Sequence, residues 1–274
     1  MSVFLTLLLP NLRGGGTERI SLDLARTFKE FGCDVEFVLM RAEGEFLPEA
    51  LRDFNVSDLS AAKVRQAPLP LARYLRERRP DALIANMWPL TSAAVLGRLL
   101  ARTSTRLLLV EHNTLSNQYA SWGKAHSLMM RTSLFLTYRW ADHVAAVSEG
   151  AARNTAKLAG LSSDYVAVLH NPIPQRAYPS PESSAIAEHL WGCGSGQRIL
   201  TVGSLKAQKN HPLLLRAFAA LSVTDACLMI VGGGDDTALR CLAAELNISD
   251  RVIFAGFHAD PSPFYVTADL FVLS

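Results

Sequence analysis

The chain has 274 residues, enough for two domains of ordinary size. With 49% hydrophobic and 19% charged residues it is not a disordered chain, and no apolar run approaches the roughly 20 residues that span a bilayer. A formal net charge of +2 exerts no global pull toward nucleic acid, and none is expected as a partner.

Residues 1–10 are apolar. They lack a basic flank and a small-residue cleavage site, and a glycine loop follows, so they read as a first buried strand and the chain as cytoplasmic. Gly14, Gly15 and Gly16 then let backbone approach a ligand closely. Arg19 stands where G-x-G-x-x-G needs its third glycine, and G-x-x-x-x-G-K-[ST] does not occur, so neither a dinucleotide fingerprint nor a P-loop is present. A helix follows, with Ile20, Leu24, Phe28 and Phe31 on one face. Gly32 closes it and residues 35–39 form the next strand. Cys33, Cys193, Cys227 and Cys241 show no C-x-x-C spacing, and most read as buried thiols of a reducing compartment.

Residues 41–80 are less regular and end in a basic helix end with Arg73, Arg76, Arg78 and Arg79, a solvated face that suits a helix C-terminus. A strand at 82–85, a helix at 91–101 and a strand at 106–110 lead to Glu111-His112. A histidine at the carboxyl end of a parallel strand either faces a ligand crevice or is bonded to backbone as a structural group. Glu111 orients the imidazole or caps the following turn. A helix at 128–140 leads to a strand ending at Val147 and to Ser148, an N-cap. Asn171 before Pro172 forms a turn. Pro172, Pro174, Pro179 and Pro181, then Gly192, Gly194 and Gly196, describe a stiff and then flexible linker over 173–197, between domains at 1–172 and 198–274.

The second domain opens with the strand Arg198-Ile199-Leu200-Thr201-Val202. Gly203-Ser204-Leu205-Lys206-Ala207-Gln208-Lys209-Asn210 follows, then a helix with Pro212 in its first turn. Lys206 and Lys209, beside a helix N-terminus, favour a phosphate or diphosphate. Strands at 228–231 and 252–255 end in Gly232-Gly233-Gly234-Asp235-Asp236 and Gly256-Phe257-His258. A helical turn at 263–267 and a strand at 268–274 complete the chain.

These stretches resemble, in order, the motifs of family 4 glycosyltransferases. Gly15-Gly16-Thr17-Glu18-Arg19 is similar to G-G-x-E-R, and the run from Ala141 to Ser148 to A-D-x-V-x-x-V-S. The end at Asn171-Pro172 resembles V-x-x-N-G/P, and Val231-Gly232-Gly233-Gly234 resembles V-G-x-G. The loop Gly203–Asn210 resembles G-R-L-x-x-x-K-[GN], with Lys209 at the lysine position but Ser204 at the arginine position. Lys206 would substitute in part. The resemblance implies an α/β chain of two Rossmann-like domains facing a cleft, the GT-B fold, with the second domain incomplete. It implies transfer of a hexosyl or N-acetylhexosaminyl group from a nucleotide diphosphate sugar, UDP before GDP, to a glycan or lipid-linked acceptor. Transfer would proceed with retention, in cell-surface polysaccharide or glycoconjugate synthesis.

By the same resemblance His112 positions the sugar, and Gly15, Gly16, Ser204, Lys206 and Lys209 border or hold the diphosphate. Gly233, Phe257 and His258 lie by the nucleobase, while Glu111, Ser148 and Asn171 are further cleft candidates. Some family members dock on membranes through a basic surface of the first domain, which implies peripheral contact at the inner face. No D-x-D triplet occurs, so no metal and no cofactor beyond the substrate are expected. In the family the last strand runs into S-x-x-E-G, with a second Glu eight residues after the first. Ser274 matches the Ser, so the resemblance implies a truncated chain without measurable transfer. Two other readings stay open, a nucleotide-sugar epimerase of the same fold and a non-catalytic sugar-nucleotide binding module.

Overall fold

The computed structural model describes residues 2–173, 178–192 and 196–274. The chain divides into two compact units, Met1–Pro174 and Gln175–Ser274. Pro174, Cys193 and Gly194 of the expected linker lie outside the described residues.

Unit 1 alternates strand and helix: β1 (Phe4–Leu9), α1 (Gly16–Glu30), β2 (Asp34–Leu39), α2 (Leu47–Asp53), β3 (Asn55–Asp58), α3 (Pro68–Arg78) and β4 (Ala82–Asn86). It continues through α4 (Leu90–Ala101), β5 (Arg106–Glu111), α5 (Leu115–Gln118), α6 (Gly123–Thr137), β6 (His143–Ala146), α7 (Glu149–Ala159) and β7 (Val166–Val168). All strands pair in parallel, in the order β3-β2-β1-β4-β5-β6-β7. Parallel strands need crossover helices, which cover both faces, so the central strands are apolar on both sides. Leu8, Val38, Leu83, Ala85, Leu107, Leu109 and Val144 share one core with residues of α3, α4, α6 and α7.

Two expectations for unit 1 need correction. First, α1 buries Ser21, Leu22 and Ala25, whereas Phe31 is 80% exposed. Its other flank is committed to α2: Arg19 pairs with Glu49, and Arg26 pairs with both Glu49 and Asp53. That ion cluster holds Glu49 down to about 2, chiefly through its bond to Arg19. Second, residues 41–80 contain β3, an edge strand paired only to β2. Its sequence Asn-Val-Ser-Asp carries no apolar run. Nor is the basic helix end a uniformly free surface. Arg78 is paired to the buried Glu36, and Arg76 donates to the Leu100 carbonyl at 2.9 Å.

Unit 2 contains α8 (Pro181–Trp191), β8 (Arg198–Val202), α9 (His211–Ala219), β9 (Cys227–Val231), α10 (Thr237–Glu245), β10 (Val252–Gly256), α11 (Ser262–Val266) and β11 (Leu270–Phe271). Its parallel sheet has the order β10-β9-β8-β11. Helix α8 falls inside the expected linker. Ser180 caps it by accepting from the Ser183 N–H at 3.1 Å, and Pro181 occupies the first turn. Ala187 and Trp191 then pack with Leu200, Met229 and Phe264. The proline that suggested a linker is thus a helix-starting residue. Of the described cysteines, Cys227 is buried, Cys33 half-buried and Cys241 exposed. No helix among the described residues is long and apolar enough to cross a membrane.

Strand order reverses between β1 and β4 in unit 1 and between β8 and β11 in unit 2. At such a point the loops leaving the strand ends diverge, and a crevice opens at their carboxyl ends.

Candidate active site

In unit 1 the reversal is flanked by the loop after β1. This loop is strapped down by backbone bonds from Leu12 N–H to the Glu43 carbonyl and from Phe46 N–H to the Leu12 carbonyl. Gly14 N–H donates to Glu45 Oε2 at 2.8 Å. The two glycines beyond differ in their reasons. A Cβ on Gly15 would lie 2.3 Å from Glu18 Oε2, so the missing side chain lets the Glu18 carboxylate fold back over the loop. A Cβ on Gly16 would meet nothing within 4 Å. The N-cap Gly15 supplies no side-chain bond, and Glu18 is the acidic residue of the first turn of α1. Arg19 of the same motif is structural: it makes a bidentate pair with Glu49 at 2.6 and 2.9 Å and lies 4.1 Å over the Phe46 ring.

On the other side of the reversal, β4 ends in Asn86, and His112 follows β5 next to it. Asn86 Nδ2 donates to the carbonyls of Leu8 and Ile84 at 3.3 and 3.4 Å. Its Oδ1 is therefore the atom that meets His112 Nε2, at 2.9 Å. An amide oxygen only accepts, so Nε2 carries the proton and Nδ1 is a bare acceptor. Nδ1 is buried and has no partner among the described residues. Burial lowers the imidazole pKa to about 4, so the ring is neutral at physiological pH. Asn86 was not singled out in the sequence; the available signal was a polar residue closing an apolar strand.

Glu111 requires correction. It neither orients His112 nor caps the turn. Side chains alternate along a strand, so Glu111 points to the opposite face from His112, into the core. There it accepts from Trp88 N–H at 3.2 Å, from Thr91 Oγ1 at 3.1 Å and from the Tyr138 hydroxyl. Burial outweighs these donors and raises its pKa to about 7. Ser148 caps α7, its Oγ accepting from Ala151 N–H at 3.2 Å. Asn171 is exposed beyond β7.

In unit 2 three loops at the carboxyl ends of β8, β9 and β10 are stitched edge to edge. Gly203 N–H donates to the Val231 carbonyl at 2.8 Å, Leu205 N–H to Gly233 at 2.9 Å and Gly232 N–H to Gly256 at 2.8 Å. The approach is close enough that a Cβ on Gly232 would sit 2.0 Å from the Gly203 oxygen. Across the β8–β11 reversal, Ser274 Oγ donates to the Lys209 carbonyl. Lys206 and Lys209 are exposed, and neither has an acidic partner among the described residues. The Lys209 stem runs beside Gly203, with Cε 3.2 Å from where a Cβ would be. Ser204 is half-buried in the same loop. Gly233 and Phe257 are neighbours, at 3.4 Å between a Cβ on the glycine and the Phe257 Cβ. His258 is turned back on the protein: its Nε2 meets the Ala255 carbonyl at 3.2 Å and its ring packs edge-on against Phe264. Its side chain is therefore engaged with the protein, and its backbone follows Gly256 at the carboxyl end of β10. No group of three or more potential metal ligands occurs among the described residues.

Two open parallel α/β sheets, each with a polar, glycine-built loop at its reversal point, are the two halves of a GT-B fold. The profile described as Glycosyltransferase Family 4 matches residues 14–176, and that of glycosyl transferases group 1 matches residues 194–274. The chain belongs to Glycosyltransferase Family 4. It is 27% identical over 280 residues to the Campylobacter jejuni N-acetylgalactosamine-N,N'-diacetylbacillosaminyl-diphospho-undecaprenol 4-alpha-N-acetylgalactosaminyltransferase, covering 96% of this chain and 72% of that one. Anabaena HepE, solved with UDP-glucose, is 20% identical, with a TM-score of 0.83 over 99% of this chain and 73% of its own. The lipopolysaccharide-biosynthesis glycosyltransferase WaaG is 18% identical, with a TM-score of 0.72 over 97% of this chain and 74% of its own.

Proposed function

We propose that the protein transfers a hexosyl or N-acetylhexosaminyl group from a UDP-sugar to a lipid-linked or glycan acceptor. Transfer proceeds with retention, at the cytoplasmic face of the membrane, in the synthesis of a cell-surface polysaccharide or glycoconjugate. The observation that carries the reading is the buried, unpartnered Nδ1 of His112 at the strand reversal of unit 1. A neutral acceptor held in one tautomer suits a sugar hydroxyl, which donates. It does not suit a phosphate, which at neutral pH mainly accepts. HepE was solved with UDP-glucose and the Campylobacter relative is named for a diphospho-undecaprenol acceptor, which supports the donor and acceptor classes.

As the glycosidic bond breaks, negative charge develops on the departing diphosphate. Lys209 and Lys206, set at the mouth of the β8 loop, stabilise that charge. Phe257 and Gly233 line the nucleobase position. The reading takes no metal and no cofactor, since the positive charge comes from side chains.

Thermal stabilisation by UDP, GDP, ADP and their sugars tests it, because a ligand of the folded state raises Tm with its affinity. UDP-sugar is expected to stabilise more than UDP. His112→Ala should leave the UDP shift intact and remove most of the extra shift due to the sugar, about fivefold in affinity for one lost hydrogen bond. No shift with any nucleotide, or an equal loss with UDP and UDP-sugar, overturns the assignment. Conversion of the donor to an epimeric sugar nucleotide without acceptor would establish the epimerase reading instead.

A further inference from the structure

Asn86 and His112 close β4 and β5, and the two loops that leave those strands are anchored on one buried residue, Trp88. It is 4% exposed. Its backbone N–H donates to Glu111 Oε2 at 3.2 Å, its carbonyl accepts from the Tyr119 hydroxyl at 3.2 Å, and its indole N–H donates to Ser133 Oγ at 2.9 Å. The indole also meets the Tyr119 ring edge-on, with 5.0 Å between centroids. Each polar group of Trp88 is thus satisfied by a different part of unit 1: β5, the residue after α5, and α6. Buried polar groups are costly to leave unpaired, so these bonds hold the loop in one place.

The backbone between Asn86 and Trp88 needs that support. Met87 has a φ of 65°, in the left-handed region, which a residue with a Cβ seldom adopts unless its surroundings over-determine it. Met87 N–H donates to the Val110 carbonyl at 3.0 Å, so the β4–β5 pairing continues up to the strained residue. Glu111 makes no bond to His112; it bears on the imidazole only through Trp88. Its donors, Trp88 N–H and the hydroxyls of Thr91 and Tyr138, are all neutral. Both hydroxyls can turn and accept instead. The Thr91–Tyr138 side of the network therefore suits either protonation state of Glu111, while Oε2 goes on accepting from Trp88.

We infer that Trp88 is a positioning residue for sugar recognition. Anchored by Glu111, Tyr119 and Ser133, it holds the two strand-end loops so that Asn86 Oδ1 stays on His112 Nε2 and Nδ1 is kept as the bare acceptor. The inference rests on the sugar contact proposed for His112. Trp88 and Glu111 are both almost fully buried, so they touch no ligand and act by geometry alone.

The test follows the His112 ring nitrogens by nitrogen-15 correlation spectroscopy, with the signals assigned by their loss in His112→Gln. The unaltered ring should show a protonated Nε2, a bare Nδ1 and no titration down to about pH 5, in keeping with a pKa of about 4. Tyr119→Phe combined with Ser133→Ala removes two of the bonds to Trp88 with little change of side-chain shape. Glu111→Ala removes the third. Each variant should let the two nitrogen signals average and return titration toward the ordinary value of about 6.5. Each should also erase most of the roughly fivefold gain of UDP-sugar over UDP, with UDP affinity unchanged. Glu111→Gln should keep the ring signals and the gain, because its amide oxygen accepts from Trp88 while its amide N–H groups donate to the hydroxyls. Leu107→Ala, a buried change on the same face of β5, should lower stability without moving the ring signals. Anchorage variants with unaltered ring signals overturn the inference, as does an equal disturbance by Leu107→Ala. If Glu111→Ala does not fold, the Tyr119→Phe, Ser133→Ala pair decides alone. If His112→Ala keeps the gain from the sugar, the sugar reading falls, and the ring signals still decide whether Trp88 sets the imidazole's geometry.

Discussion

Adjacent residues in this chain are tuned in opposite directions by the same burial. Glu111 has its pKa raised to about 7 from an ordinary 4.5, so the folded state binds more protons than the unfolded one between those values. Its contribution makes stability fall as pH rises through that window. His112 is lowered to about 4 from 6.5, so the unfolded state binds more protons and stability rises with pH between 4 and 6.5. The two trends oppose each other over the shared interval. Glu111→Gln removes the falling one, which is worth on the order of 3 kcal/mol, and should uncover a clear rise in denaturation midpoint from pH 4.5 to 6.5. An unchanged pH profile would show that Glu111 is not the titrating group. At the β8 loop, Lys209→Ala should weaken UDP about 10- to 100-fold, the range for a charge-assisted bond. Lys206→Ala should cost less, because Lys206 lacks the support that Gly203 gives the Lys209 stem. Ser204→Arg should tighten UDP binding, and calorimetric titration ranks all three.

Elements succeed or fail by how closely their loops approach. The Gly232 backbone passes so near the Gly203 oxygen that Gly232→Ala must push β8 and β9 apart at their carboxyl ends. A loss of about 1–3 kcal/mol in urea unfolding is expected, as for overpacking generally. Gly16→Ala meets open space, so stability should hold within about 0.5 kcal/mol while donor-induced stabilisation falls. The same elements show what the sequence could reveal. Apolar runs located β1, β5, β8 and β9, because a buried parallel strand is mostly apolar; glycine or lysine loops follow β1, β8 and β9, and Glu111-His112 closes β5. Strand β3 escaped notice since an edge strand with one solvated side needs no such run. Helix α8 escaped because Ser180-Pro181 is equally a turn and a helix start, and only the burial of Trp191 decides. The face of Glu111 was hidden for a similar reason: alternation fixes that it opposes His112, but not which of the two meets the core.

At the scale of the molecule each unit packs its own core residues, and each sheet has its own reversal point. His112 and Lys209 therefore depend for their geometry on different cores, and sequence motifs were enough to place both at strand ends. What the motifs did not show was the partner set: Asn86 lies 26 residues before His112, and only the pairing of β4 with β5 brings them together. The stitching of the unit 2 loops has a consequence for exchange with solvent. Loop amides ordinarily trade hydrogen for deuterium quickly, but those of Gly203, Leu205 and Gly232 are locked into neighbouring loops. Their deuterium uptake should be as slow as that of β8 and β9 themselves, so that this rim behaves as an extension of the sheet and opens only when the strands part.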